Sequence, residues 1–297
     1  MKILVTGFTG LIGAKLVQAL QNAGDEILGL SRNASNQPLR ALQWDPMNGK
    51  LNPSELEGLD AVVHLAGETI VGRWTAAKKA RIGNSRKQGT QLLAETLAQL
   101  HRPPRVLVSA SAIGYYGNRG AEMLREESAP GAGFLAETCV QWEAATAPAA
   151  QKGIRVVLAR IGVVLSTAGG ALAKMLLPFK LGVGGVVGNG KQYWSWIALE
   201  DVIGALQFAV MNESLAGPVN LVAPQAVTNH EFTKTLGRVL SRPTIFPLPA
   251  FAARLVLGEM ADDLLLSSAR IAPAKLVTNG YSFKHGELEG ALHAMLR

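Results

Sequence analysis

Thr6-Gly7-Phe8-Thr9-Gly10-Leu11-Ile12-Gly13 follows the apolar run Lys2-Ile3-Leu4-Val5 and leads into Leu16, Leu20 and Ala23 at helical spacing. Glycines at these places suit a strand-to-helix turn that receives a pyrophosphate. Gly7 lets the strand turn sharply, Gly10 lets backbone approach the phosphates, and Gly13 lets the helix pack closely on the strand. The helix N-terminus behind them offers N–H groups and a partial positive charge. The spacing predicts a dinucleotide site built from Thr6 through Gly13.

The end of the second strand decides which dinucleotide is held. An Asp or Glu there accepts from a ribose 2′-hydroxyl and repels a 2′-phosphate. Here the chain reads Gly29-Leu30-Ser31-Arg32-Asn33, with no carboxylate. Ser31 and Arg32 suit phosphate oxygens, so NADP(H) is preferred to NAD(H). Asp45, after the third strand, reads either as a partner for the adenine edge or as an exposed loop acid. Leu65, Ala66 and Gly67 are small enough for a cofactor to pass close to backbone, and His64 before them reads as a satisfied core histidine.

Such groups meet only if several strands end side by side. Strands are predicted at 2–6, 26–30, 42–44, 61–65, 105–109 and 155–160, with helices at 11–23, 54–56, 76–100 and 136–152. This alternation predicts an α/β fold, a Rossmann-type doubly wound parallel sheet with a smaller C-terminal substrate lobe. Right-handed crossovers bring Gly7, Ser31, Ala66 and Ser111 to one crevice. The expected division is a dinucleotide-binding domain at 1–165, with 198–223 packing back on it. The substrate lobe takes 166–297, with a helical segment at about 247–295. Glycines at 182–190 predict a flexible loop over the site.

Composition excludes several alternatives. At 297 residues and 48% hydrophobic content the chain can bury a large core. Lys2 runs into a strand rather than an apolar leader, which predicts no signal peptide. No uncharged apolar run reaches about eighteen residues, so no membrane partner is expected. One cysteine, Cys139, forbids an internal disulfide and fits a reducing, cytoplasmic setting. No CxxC or HExxH occurs, and the five histidines are scattered. The net charge of +7 is dispersed without aromatic interleaving, which suits an anionic small molecule better than nucleic acid. Its densest cluster, Lys78, Lys79, Arg81, Arg86 and Lys87, reads as a solvated helix face or a phosphate patch.

Lys79 and Arg86 share a helical face, with Trp74 just upstream, and Arg160 ends the sixth strand near the crevice. Trp194, Ser195 and Trp196 precede a further helix. Cations beside aromatic rings suit a phosphorylated or sugar-like substrate, although both tryptophans read equally well as core.

Taken together, the TGxxGxxG turn, His64-Leu65-Ala66-Gly67 and the 109–117 segment resemble the extended short-chain dehydrogenases/reductases. More narrowly, the chain is similar to the YfcH-type epimerase subgroup of atypical members, related to NAD-dependent epimerases/dehydratases. That likeness rests on Trp74-Thr75 through Ser85-Arg86, 133–137 with Trp142-Glu143, 194–197 and 268–273. The resemblance implies an NADP-binding, bacterial-type cytoplasmic protein, dimeric through the helices at 76–100 and 136–152. It also implies a Ser, a Tyr and a Lys, the lysine lowering the phenol's pKa for proton exchange with substrate. Ser111 fills the serine place, with Ser109 beside it. Aligned on Glu143, the tyrosine place falls on Leu135 and the lysine place on Cys139. No Tyr-x-x-x-Lys occurs in the chain. Tyr115 or Tyr116, and Glu137, are the candidate substitute proton carriers, a carboxyl in an apolar pocket having a raised pKa. The tyrosines read otherwise as packing residues and Glu137 as an exposed helix carboxylate. The expected function is an NADP-dependent oxidoreductase or epimerase acting on a sugar-like or small polar carbonyl or alcohol. The alternative is a non-catalytic NADP(H)-binding regulatory protein.

Overall fold

Ile3 and Val5 enter one apolar cluster and Leu4 another, and all three side chains are fully buried. That alternation is the period-two pattern of a strand covered on both faces. The computed structural model describes residues 1–35 and 37–296. Arg297, the last residue of the expected lobe, lies outside them. Strands β1 (Lys2–Thr6), β2 (Glu26–Ser31), β3 (Ala41–Gln43), β4 (Ala61–His64), β5 (Val106–Ala112), β6 (Arg155–Ile161) and β7 (Gly217–Leu221) form one parallel sheet. Its order is β7-β6-β5-β4-β1-β2-β3. The chain winds outward in both directions from β1 and β4, so their C-terminal ends flank a crevice. The fold is the Rossmann-like α/β arrangement that the alternation predicts.

The α-helices among the described residues are α1 (Leu11–Asn22), α2 (Ala76–Gln99), α3 (Phe134–Ala144), α4 (Ala147–Gln151), α5 (Gly170–Lys180), α6 (Leu199–Met211), α7 (Asn229–Leu240), α8 (Ala250–Leu257), α9 (Ala274–Thr278) and α10 (Leu288–Leu296). Leu16 and Leu20 of α1 join Val202 and Leu206 of α6 on the Ile3 face. Leu93 and Leu97 of α2 join Ala149 of α4 on the Leu4 face. The single helix expected at 136–152 is two, because Pro148 has no N–H to donate and is tolerated only in a helix's first turn. β5 runs on to Ala112, which puts Ser111 inside the strand rather than past its end.

Register lines up polar side chains on the α2 face. Thr6 pairs with His64 and His64 with Ser109. Two residues further on, Ser111 pairs with Arg160 and Arg160 with Asn220. One face of the sheet thus turns polar at its C-terminal edge, across five adjacent strands.

A third cluster gathers Trp194 and Trp196 with Phe179, Phe232, Leu236, Leu288 and Leu292. Both tryptophans are therefore core, not substrate contacts. Each indole donates to backbone, Trp194 to the Leu265 carbonyl (3.4 Å) and Trp196 to the Gln225 carbonyl (3.0 Å). Ser195 is likewise internal: its hydroxyl donates to the Ala269 carbonyl (2.8 Å) and accepts from the Ile271 N–H (3.0 Å). The glycines at 182–190 are anchored rather than loose. The Val187 N–H donates to Asn229 Oδ1 (2.8 Å), and the Leu248 N–H to the Val186 carbonyl (2.8 Å).

Ser195→Ala leaves two buried backbone groups without their partner. It is expected to cost about 1–3 kcal/mol, read as a lower urea midpoint at unchanged slope.

Candidate functional site

The 6–13 turn packs as tightly as its glycines allow. Gly7 has φ +67°, and a Cβ there would stand 2.8 Å from the Leu65 carbonyl carbon; one on Gly13 would stand 2.2 Å from the Gly7 oxygen. No side chain caps α1 and no acidic residue stands in its first turn, so its N-terminal dipole faces the crevice unopposed. Thr9 and Gly10 are exposed and Leu11 and Ile12 half-buried at this mouth. Phe8 is not at the mouth. Its buried ring lies so close under Gly29 that a Cβ on that glycine would sit 2.5 Å from it. It sets the spacing of the turn from β2.

Thr6 ties the turn to β4. Its Oγ1 accepts from the Leu65 N–H (3.1 Å) and the Ala66 N–H (3.0 Å) and lies 2.7 Å from His64 Nδ1. With both lone pairs taken, the hydroxyl proton goes to Nδ1. His64 is then the Nε2–H tautomer and donates to Thr90 Oγ1 on α2 (2.9 Å). Complete burial pushes its pKa down to about 4, so it is neutral. Ser109 is buried beside it on the next strand.

At the tip of β2, Ser31 is half-buried and its Oγ accepts from the Asn33 N–H (3.3 Å), while Arg32 is exposed. Asp45 spends its carboxylate on its own turn. Bonds from the Asn48 side chain (2.6 Å) and the Asn48 and Met47 N–H groups hold it below the usual carboxylate range.

Beyond β4, Gly67 is exposed, and Glu68 is fastened to α2. Its N–H donates to Ser85 Oγ (3.0 Å), its carbonyl accepts from Arg86 (3.0 Å), and its carboxylate takes Lys78 Nζ (2.7 Å). The Lys78 bond, with Arg81 and Arg32 near, holds that carboxyl low. Arg86 lies 4.9 Å over the Trp142 ring, and its burial lowers its own pKa. Lys79 pairs with Glu259 and stands 5.2 Å over Phe134. The basic cluster is thus two populations: Lys78, Lys79 and Arg86 turn inward, while Arg81 and Lys87 are exposed. Trp74 packs edge-on against Phe134 (5.2 Å) and shares an apolar cluster with Ile82, Met260 and Leu135.

The second polar row forms a buried network. Ser111 Oγ donates to Glu143 Oε1 (2.6 Å), and Arg160 holds the same carboxylate through Nε and Nη2 (2.8 Å each). Arg160 Nη1 donates to Tyr116 Oη (2.9 Å) and the Glu126 carbonyl (3.1 Å), and Tyr116 Oη donates to Asn220 Oδ1 (2.7 Å). Arg160 is therefore an internal clamp, not a substrate contact. Against the penalty of burial, Glu143 raises its pKa further. Tyr115 is half-buried, with its ring 3.4 Å from that guanidinium. Glu137 is exposed in the first turn of α3, where it complements the dipole and is in no apolar pocket. Cys139 is buried, and desolvation followed by Glu143 pushes its thiol up to about 11, which leaves it an inert thiol.

The sequence singled out neither Asn220, Glu126 nor Glu68, and gave Glu143 no role beyond its place in the family likeness. Tyr116, which it offered beside Tyr115, is spent inside the network. A signal for Glu143 existed: it lies four residues from Cys139 and eight from Leu135, on the same face of α3. Among the described residues no cluster of three or more His, Cys, Asp or Glu could hold a metal, and no helix is long and apolar enough to cross a membrane.

Comparison with known proteins agrees with this architecture. The profile of the NAD dependent epimerase/dehydratase family matches residues 3–221, and that of a domain of unknown function, DUF1731, matches 248–295. An epimerase family protein of Mycobacterium bovis is 44% identical over 291 residues, covering 98% of this chain and 96% of the relative. The crystal structure of human epimerase family protein SDR39U1 with NADPH superposes with TM-score 0.90 at 34% identity, covering 99% of each chain. A nucleoside-diphosphate sugar epimerase from Corynebacterium glutamicum superposes with TM-score 0.82 at 35% identity; it takes in the whole of this chain, which spans 58% of that one.

Between pH 6.5 and about 4 the unfolded chain binds a proton at His64 that the native state refuses. Stability present above that range is lost as pH falls through it, by about 3 kcal/mol. His64→Gln should flatten this loss in urea unfolding between pH 7 and pH 4, relative to the parent chain. Arg160→Met strands a buried carboxylate and should cost about 3–5 kcal/mol; adding Glu143→Gln should restore much of it in the same assay.

Proposed function

The chain belongs to the NAD dependent epimerase/dehydratase family, and from that premise we propose that it binds NADP(H) along the 6–13 turn. It acts as an oxidoreductase or epimerase on a small polar carbonyl or alcohol with sugar-like hydroxyls. The observation that carries the reading is the turn itself: closed against β4 to the limit of glycine, with an uncapped helix dipole aimed across it. The tip of β2 supports the phosphorylated dinucleotide, since Ser31 and exposed Arg32 stand where a carboxylate would select the other. The likeness to a relative crystallised with NADPH supports the same choice. The buried Cys139, the chain's one cysteine, suits a cytoplasmic setting.

Held along the 6–13 turn and at Ser31 and Arg32, NADP(H) would supply the hydride chemistry. The chain's own part is the accompanying proton. Ser111 has its hydrogen committed to Glu143, so it presents lone pairs to a substrate hydroxyl. A proton given to Ser111 Oγ as its own passes on ends on the Glu143 carboxylate, whose position Arg160 locks bidentately. This relay takes the place of a phenol beside an ammonium group. Tyr115, stacked on Arg160, shapes the approach, and Arg86 supplies positive charge on the α2 side, where Lys79 is held by Glu259. A second reading, a non-catalytic NADP(H)-dependent regulator, is favoured by Leu135 and Cys139 standing where Tyr and Lys would be.

Titration of intrinsic tryptophan fluorescence tests the cofactor. NADPH should bind about tenfold or more tightly than NADH, and Arg32→Ala should remove most of that difference. Equal responses would sink the phosphate argument. Ser111→Ala should keep NADPH affinity while slowing turnover about a hundredfold or more. Tight NADPH binding that no panel of aldehydes, ketones and nucleotide sugars can oxidise would move the assignment to the regulator.

A further inference from the structure

Residues 180–188 and 242–250 run side by side in the C-terminal half. The Leu248 N–H donates to the Val186 carbonyl (2.8 Å), the Gly188 N–H to the Leu248 carbonyl (2.9 Å), and Arg242 Nε to the Lys180 carbonyl (2.9 Å). Gly182 lies against Pro243, and Gly185 against the Phe246 backbone. This seam sets the end of α5 beside the segment that leads into α8. The outward side chains are large and apolar: Leu177, Leu181, Ile245, Phe246, Phe251 and Leu255 are 56–86% exposed. Phe251 and Leu255 are four apart on α8, and Leu177 and Leu181 four apart at the end of α5. Single exposed apolar residues need no explanation, but six on adjoining segments make a patch that marks a contact surface.

The charges among them identify the partner. Residues 170–183 and 242–257 contain four cations, Lys174, Lys180, Arg242 and Arg254, and no Asp or Glu. Arg254 is paired with Asp262 (2.9 Å); among the described residues no carboxylate pairs with the other three. Lys174 lies three residues before Leu177 and seven before Leu181, on the same face of α5. Just past α8, Glu259 and Asp262 are tied to Lys79 and Arg254. Lys174, Lys180 and Arg242 are thus the cations left beside the apolar side chains, and that pairing fits the boundary between headgroups and acyl chains of an anionic bilayer. A second copy of the chain fits poorly, because a two-fold contact sets the same cationic rim against itself.

We propose that this face, formed by the end of α5, the 242–249 strap and α8, docks peripherally on an anionic lipid surface. An interfacial contact needs no membrane-crossing helix. The expectation of no membrane partner rested on the lack of a long apolar run, which bears on a spanning helix and not on a surface contact. The Thr6–Gly13 turn and the Ser111 network are not part of this surface, so the proposal stands or falls separately from the cofactor assignment.

Co-sedimentation of the full chain with large unilamellar vesicles tests it. Vesicles of phosphatidylcholine with phosphatidylglycerol should pellet the protein about tenfold or more effectively than phosphatidylcholine alone, and added salt should weaken the binding. Phe251→Glu with Leu255→Glu should lower partitioning about tenfold or more. Lys174→Gln with Lys180→Gln and Arg242→Gln should lower it and remove most of the salt dependence. The NADPH titration of both variants should match the parent, and so should thermal unfolding of the Phe251/Leu255 variant and of Lys174→Gln with Lys180→Gln alone, whose side chains are exposed. No pelleting with anionic vesicles would overturn the proposal, as would unchanged pelleting of the Phe251/Leu255 variant. A parent dimer in light scattering that this variant converts to monomer would also overturn it, because a second copy would then cover the face.

Discussion

One hydroxyl group decides how the two halves of the sheet meet. Thr6 Oγ1 receives the N–H groups of Leu65 and Ala66 and gives its own proton to His64. That exchange fixes where the chain leaves β4, and Gly7 then has no room for a side chain. It also fixes the histidine tautomer, through which Thr90 draws α2 onto the sheet. Thr6, His64 and Thr90 are fully buried, and removing any one leaves another without a partner in a medium that does not supply one. The crevice between β1 and β4 is therefore held open by polar satisfaction on its α2 side, while apolar packing supports the sheet beneath.

The second polar row follows the same logic with full charges. Arg160 and Glu143 are nearly inaccessible, and burying such a pair gains little stability by itself. What the pair does is position. Through Glu143 it orients Ser111, and through Tyr116 and Asn220 it reaches the C-terminal tail, where Asn220 Nδ2 donates to the Ala272 carbonyl (3.0 Å). Glu126 extends the tie, accepting from the Asn220 N–H and the Lys275 N–H (3.1 Å each). The residues that position Ser111 at the crevice are thus also those that seat the tail. That coupling gives a physical reason for an arginine on β6 where only a strand residue was needed.

Positive charge is sorted by the fold in a way that composition conceals. Lys78, Lys79 and Arg86 are drawn inward to Glu68, Glu259 and Trp142, so of the densest cluster in the chain only Arg81 and Lys87 face solvent. Cations that are sparse along the chain, such as Lys174 and Arg242, end up together because two distant segments share a seam.

Local order and spacing were sufficient to read the glycine turn, the alternation of strands and helices, the double winding and the core histidine. Each depends on neighbouring residues and on a handedness rule that holds for any such chain. The tertiary structure decided the rest. Register placed Ser111, Arg160 and Asn220 in one row, turning an apparent substrate arginine into an internal clamp. Packing of the tail buried Trp194, Ser195 and Trp196, which in the sequence look equally suited to a ligand. Exposure put Glu137 in solvent, and helical phase brought Glu143 to the serine. Side-chain chemistry can be read one residue at a time, but whether a side chain meets solvent, ligand or another side chain depends on contacts between residues far apart in the chain.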